Sequence, residues 1–179
     1  MLRTLPNQIY PNAATHKGFS PKETRELLAP IKIVLVNDHP VLREGLISLL
    51  AQFSHIQIVG HCNNISSAIQ IVEDTHCDVL LTDSTMENSS PLELAQLVRQ
   101  SDENIRIIFQ LNKISEHNIR RAFKAGVSGF VVKEDTIYDI VKAINVVAQG
   151  EYFFSKELQH RSLVSSSIEA SRNWKIIRH

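Results

Sequence analysis

The stretch Asp78–Met86 reads D-V-L-L-T-D-S-T-M, and its reading decides the fold. Val79–Thr82 is a short, largely apolar run closed by an acid, Asp83. A strand of a parallel sheet looks like this, because helices cover both its faces and no polar alternation is needed. Asp83 then falls at the strand's carboxyl end, where open α/β sheets place their chemistry. Two other runs end alike: Ile33–Val36 leads to Asp38, and Phe130–Val132 leads to Lys133. Two carboxylates and one amine at three strand ends form a constellation.

Outward from this stretch, strand and helix patterns alternate. The spacing predicts strands over Ile31–Val36, Ile56–Gly60, Asp78–Asp83, Ile105–Gln110 and Ser128–Val132. Between and after them it predicts helices over Val41–Leu50, Ile65–Glu73, Pro91–Gln100, Ser115–Ala125 and Thr136–Ala148, each with apolar residues on one face. Gly126 and Gly150 stop the last two helices, and Gly60 reads as a turn. Five strand–helix repeats imply an α/β fold with a doubly wound, five-stranded parallel sheet. Right-handed crossovers leave few topologies, and the flavodoxin-like order 2-1-3-4-5 is the common one. That order makes strands 1 and 3 neighbours, so Asp38 and Asp83 meet at the switch point.

Outside this core the pattern fades. Residues 1–30 read as a flexible N-terminal extension with a short helix near 21–29, started by Ser20-Pro21 and ended before Pro30. Residues 31–154 form the domain. In 155–179 no helical period is sustained, although Tyr152-Phe153-Phe154 can pack back on the domain. The chain's formal net charge is 0, but residues 31–154 carry 10 Lys and Arg against 15 Asp and Glu. An acidic core argues against a nucleic-acid platform. Cys62 and Cys77 have no metal-ligand spacing and read as small, partly buried residues in a reducing compartment. With no apolar run of membrane-spanning length and no secretory signal pattern, the expectation is a cytoplasmic protein with no membrane partner.

Paired carboxylates make a hard oxygen site of the kind that holds Mg²⁺. A carboxylate is also a nucleophile toward phosphorus, and a lysine nearby supplies a point charge for a phosphate oxygen. Asp38, Asp83 and Lys133 thus suffice for a magnesium-dependent phosphoryl acceptor. Acids at strand ends can equally be solvated loop residues, and only their coincidence at three matching ends favours function. His39 reads as turn packing beside Pro40, and Phe109, Phe123, Phe130 and Tyr138 as core or interface.

The chain resembles the receiver domain of bacterial two-component response regulators, in the branch usually joined to a LuxR-type helix-turn-helix. The residues that carry the resemblance are N-D-H-P-V-L-R-E-G-L from Asn37, D-V-L-L-T-D from Asp78, and A-F-K-A-G-V-S-G-F-V-V-K-E over Ala122–Glu134. The resemblance implies that Asp83 is the phosphorylated aspartate and Lys133 the phosphate contact. It implies Mg²⁺ held by Asp38, Asp83 and the backbone carbonyl of Thr85. It implies a sensor histidine kinase or small phosphodonor, a downstream protein or a second copy of the chain as partners, and output through the fourth helix, fifth strand and fifth helix. The expected protein is a signalling module, not an enzyme.

The departures from the family pattern are specific. Asn37 stands where the first of two adjacent acids is usual, and it can hold only a metal-bound water. Met86-Glu87 replaces Met-Pro, and the family's glycine is missing from Asn88–Pro91. The switch Ser/Thr falls on Leu111, which cannot hydrogen-bond, and the switch aromatic on Phe130, which lacks a hydroxyl. Only 25 residues follow Phe154, against the roughly sixty of a LuxR-type DNA-binding module by ordinary domain sizes. The expectation is a chain that does not read DNA by itself, as a stand-alone receiver or a shortened regulator. Three rivals stand beside the phosphoacceptor. One is a phosphorylation-independent pseudo-receiver that binds protein, the second a truncated transcriptional regulator. The third is a Mg²⁺-dependent phosphatase, whose second acid is replaced by Thr85.

Overall fold

The computed structural model describes residues 29–159 except 88 and 89. The expected helix near 21–29 and most of the 155–179 tail therefore lie outside the described residues. The elements follow in the order β1 (Ile31–Val36), α1 (Pro40–Leu50), β2 (Ile56–Cys62), α2 (Ile65–Asp74), β3 (Val79–Asp83) and α3 (Pro91–Ser101). They continue with β4 (Arg106–Leu111), α4 (Glu116–Lys124), β5 (Gly129–Val132), α5 (Ile137–Ala148), β6 (Phe153–Phe154) and α6 (Lys156–Gln159). One sheet runs β2-β1-β3-β4-β5-β6, with every pairing parallel.

The strands alternate between two hydrophobic layers, as a pleat of period two requires. Val34, Val36, Leu80, Ile107, Phe109, Phe130 and Val132 pack with α2, α3 and α4. Ile33, Leu35, Val79, Leu81, Ile108 and Val131 pack with α1 and α5. Both faces being covered is why the strands read as unbroken apolar runs. Helix starts are set by side chains that accept from orphan N–H groups: Asn64 from Ser67, Ser90 from Glu93, and Ser115 from Asn118. At α5, Thr136 and Asp139 cap each other reciprocally.

The expected parallel order 2-1-3-4-5 holds, and a short sixth strand extends it beyond the five expected, because Phe153–Phe154 pairs parallel to β5. A two-residue strand has no period to read, and it forms because Phe153 N–H donates to the Ser128 carbonyl (3.0 Å) and Ser155 N–H to the Phe130 carbonyl (2.9 Å). Packing then continues past Phe154, with Leu158 of α6 fully buried. Gly60 is not a turn but lies inside β2, where the register to β1 shifts by one residue, from Ile33↔Ile58 to Val34↔Gly60. A Cβ at Gly60 would stand 2.4 Å from Ile71 Cγ2, so α2 sits down on this strand only because the side chain is missing. Gly126 does turn the chain, at φ +89°. Tyr138 is exposed and meets Phe53 edge-on at 5.9 Å, outside the core.

The Asp139 carboxylate accepts from the Thr136 hydroxyl at 2.7 Å and from its N–H at 3.1 Å. These bonds hold its carboxyl below the ordinary value. A depressed folded pKa stabilises above the unfolded value of about 4 and is lost as pH falls through the folded one. Thr136→Ala is expected to cost about 1 kcal/mol at pH 7, read as a lower urea midpoint. The destabilisation by Asp139→Asn should shrink toward zero as the same titration is repeated down to pH 3.

Candidate functional site

The site lies at the carboxyl end of the sheet, where β1 and β3 run side by side with Val36 paired to Thr82. The next residues on β1 are Asn37 and Asp38, and β3 ends on Asp83. Asp83 is buried at 1% exposure. A buried carboxylate demands compensation, or its burial costs several kcal/mol. Here it has four donors. Oδ1 accepts from the Thr85 N–H at 2.9 Å and the Thr85 hydroxyl at 3.0 Å. Oδ2 is 2.6 Å from Lys133 Nζ and 3.5 Å from Asn37 Nδ2. Lys133 reaches it from the end of β5, whose backbone is tied to β4 by Lys133 N–H to the Leu111 carbonyl at 3.0 Å.

Asn37 is also buried, and its orientation is fixed from the other side. Its Oδ1 accepts from the His39 N–H at 2.8 Å, which leaves the amide nitrogen facing Asp83. An acid at this position would bring a second negative charge against Asp83. Arg43 of α1 donates to the Asn37 carbonyl at 2.7 Å and steadies the turn.

Asp38 is partly buried, with 14% of its side chain exposed. Its Oδ2 accepts from the Glu87 N–H at 2.6 Å and its Oδ1 pairs with His39 Nδ1 at 2.9 Å. Burial pushes its carboxyl up, but the Glu87 N–H and the hydrogen bond and charge of His39 outweigh this and hold it below the ordinary value. The carboxylate form of Asp38 is thus favoured over that of an ordinary aspartate. The Glu87 donor would not exist with proline, the residue usual after the methionine in the family the sequence resembles, since proline carries no N–H.

Asp38, His39 and Asp83 each offer a ligand atom, all within 4.8 Å of one another. Two carboxylates on adjacent strand ends fit a hard divalent ion such as Mg²⁺. His39 was read from sequence as turn packing. It does precede α1 as its N-cap residue, without a side-chain capping bond, yet its ring also stands beside the acids. Its position next to Asp38 in the sequence was the available signal. The Glu87 N–H left none, because backbone donors have no letter.

The expected site residues therefore divide. Asn37, Asp38, Asp83, Thr85 and Lys133 converge. Leu111 and Phe130 do not touch Asp83. Leu111 follows Gln110, the residue paired with Asp83 on β4, and is buried. With Ser84, Thr85, Leu92, Phe109 and Ala122 it lines a cavity of about 410 Å³. Phe130 is fully buried between Phe109 and Phe154.

The family model of the response regulator receiver domain matches residues 33–145. The Nitrate/nitrite response regulator protein NarL of Escherichia coli is 29% identical over 143 residues, which cover 80% of this chain and 65% of NarL. The Response regulator protein VraR of Staphylococcus saprophyticus is 29% identical over 72% of this chain and 62% of its own. The chain thus spans just under two thirds of these curated relatives. A two-component response regulator of the LuxR family from Aurantimonas sp. superposes with a TM-score of 0.72 at 25% identity, over 78% of this chain and 99% of that one. The signal receiver domain of the putative response regulator NarL from Mycobacterium tuberculosis gives 0.65 at 26% identity, over 69% and 99%. Among the described residues no helix is long and apolar enough to cross a membrane.

Exchanging the amide donor for a carboxylate would turn a hydrogen bond into a repulsion that a cation relieves. Asn37→Asp is expected to tighten Mg²⁺ binding by about tenfold or more, on the order of one buried charge interaction, while Asp38→Asn removes measurable binding. Isothermal titration of each variant with MgCl₂ at pH 7 checks both. Because the Asp38 carboxyl is held below the ordinary carboxylate value, proton competition with the metal at Asp38 should set in at lower pH than at an ordinary aspartate, read by repeating the titration at falling pH.

Proposed function

Because the chain belongs to the response regulator receiver family, we propose that it accepts a phosphoryl group on Asp83 and passes the change to a protein partner. The observation that carries this reading is the Lys133 ammonium 2.6 Å from a buried Asp83 carboxylate. Hydrogen-bond donors would also compensate a structural ion pair, but a second acid, Asp38, within 4.8 Å of Asp83 adds only repulsion to such a pair, whereas a phosphoryl acceptor uses it to hold a metal.

In the transfer, an Asp83 carboxylate oxygen attacks phosphorus and an O–P bond forms. The P–N bond of a kinase phosphohistidine breaks, or the P–O bond of a small acyl phosphate, and the leaving group keeps the electron pair. Thr85 holds the other carboxylate oxygen through its N–H and hydroxyl and so orients the attack. Lys133 passes from the carboxylate to a phosphoryl oxygen and stabilises its growing charge. Asp38, Asp83 and the Thr85 carbonyl are the groups that would hold Mg²⁺, with Asn37 on a bound water. The ion supplies the charge that offsets repulsion between carboxylate and phosphoryl oxygens. No diffusible product forms, so the chain acts as a cytoplasmic signalling module. A sensor kinase or phosphodonor stands upstream of it, and a second copy or another protein downstream. DNA contact is not part of this reading.

One observation favours a second reading, a pseudo-receiver that binds partners unmodified. Asp83 already has four donors without any ion, two of them on each oxygen. Intact mass after incubation with acetyl phosphate and Mg²⁺ separates the two. The expected result is one added phosphoryl group, absent in Asp83→Asn and strongly reduced in Lys133→Ala. An unchanged mass in the parent chain, with no carboxylate-dependent Mg²⁺ affinity, is the result of a pseudo-receiver.

A further inference from the structure

The acceptor carboxylate is connected to the last described segment by direct contacts. Lys133, ion-paired to Asp83, ends a strand of four residues, Gly129–Val132. Phe130 on that strand is fully buried, edge-on to Phe109 at 6.4 Å and stacked on Phe154 at 5.2 Å with the rings 19° apart. Phe154 belongs to β6, which lies along the outer edge of β5. Its bonds run from Phe153 N–H to Ser128 and from Ser155 N–H to Phe130. Gln159 Nε2 closes the segment onto the Phe154 carbonyl at 2.6 Å, and Leu158 fills the core beneath α6. The outer edge of β5 is therefore covered by the chain itself.

We propose that the edge of β5 is an interaction surface whose occupant is the segment Phe153–Leu158, and that the hold on this segment is set at Asp83 through Lys133 and Phe130. Its trigger, though not its wiring, rests on Asp83 being the acceptor. An Asp83 oxygen that is esterified to phosphorus no longer offers the same carboxylate to Lys133, so the lysine turns to the phosphoryl oxygens and the end of β5 is loaded differently. Leu111 at the end of β4 has no hydroxyl to share that load. A two-residue strand adds only two ladder bonds at the sheet edge, so the hold on this segment rests mainly on the Phe154 stack and the Leu158 packing. A modest change in how β5 presents the Phe130 ring is then enough to shift β6 between docked and released populations. Release would expose Phe130 and the backbone of β5 to a partner that adds a strand.

Hydrogen exchange on the full chain, read at the amides of Phe153 and Ser155, tests this. Lys133→Ala should accelerate both by at least fivefold while the β1 amides of Val34 and Val36 stay protected, and Phe154→Ala should accelerate them regardless of what happens at Asp83. Acetyl phosphate with Mg²⁺ should accelerate them in the parent chain in proportion to the phosphorylated fraction read by mass. Phosphorylation without a change at these amides overturns the proposal and leaves the acceptor reading standing. Absence of phosphorylation defeats the acceptor reading, and the Lys133→Ala comparison then decides the wiring alone, with unchanged exchange overturning it. If Lys133→Ala loses β1 protection, Lys133→Gln takes its place in the same comparison.

Discussion

A carboxylate taken out of water has to be met by donors or by a counter-ion, and the arrangement of this chain around Asp83 follows from that constraint. The donors come from three places far apart in sequence: the loop after β3, the end of β1, and the end of β5. Only a sheet in which β1 and β3 are adjacent, with β5 close enough for a lysine to reach across, brings them together. Isolated charges at this depth would cost several kcal/mol, and removing one partner of such a pair commonly costs 3–5 kcal/mol. The site therefore also reports on the fold, because it is only compensated when the strand order is right.

Two of the departures from the usual family pattern act in the same direction. Asn37 brings a donor to Asp83 where a second acid would bring charge, and Glu87 brings a backbone donor to Asp38 where proline would bring none. Each places a hydrogen bond on an oxygen of one of the two carboxylates that would hold a divalent ion. Leu111 adds a third departure in the same region, replacing a polar end of β4 with an apolar wall. The result is a receiver fold in which both acids of the corner are hydrogen-bonded by the chain's own groups and one, Asp83, is paired with Lys133.

Much of this was legible in the sequence because it depends on periodicity and on residue type. Val79–Thr82 could be read as a strand because both faces of the sheet are covered, and the helices could be read because their apolar residues recur on one face. Asp38, Asp83 and Lys133 could be placed together because their positions relative to strand ends survive any uncertainty in helix boundaries. The sixth strand could not be read, since two residues carry no alternation and its existence depends on the Phe130–Phe154 stack. Gly60 was misread because a glycine demanded by an approaching helix and a glycine demanded by a turn look the same in a string of letters. His39 was assigned to the turn it does occupy, and its second neighbour was a matter of side-chain direction.

The bond from Glu87 to Asp38 differs in kind from the others at the site. It is made by the main chain, so nineteen amino acids at that position can supply it and one cannot. Drift in the side chain there is silent as far as this bond is concerned, until a proline arrives. A single such replacement would strip the donor from Asp38 and move the loop toward the usual family form without touching any acid, amide or lysine of the site. Position 87 is therefore a one-step boundary between two versions of the same corner, one that carries its own compensation and one that must borrow it from an ion.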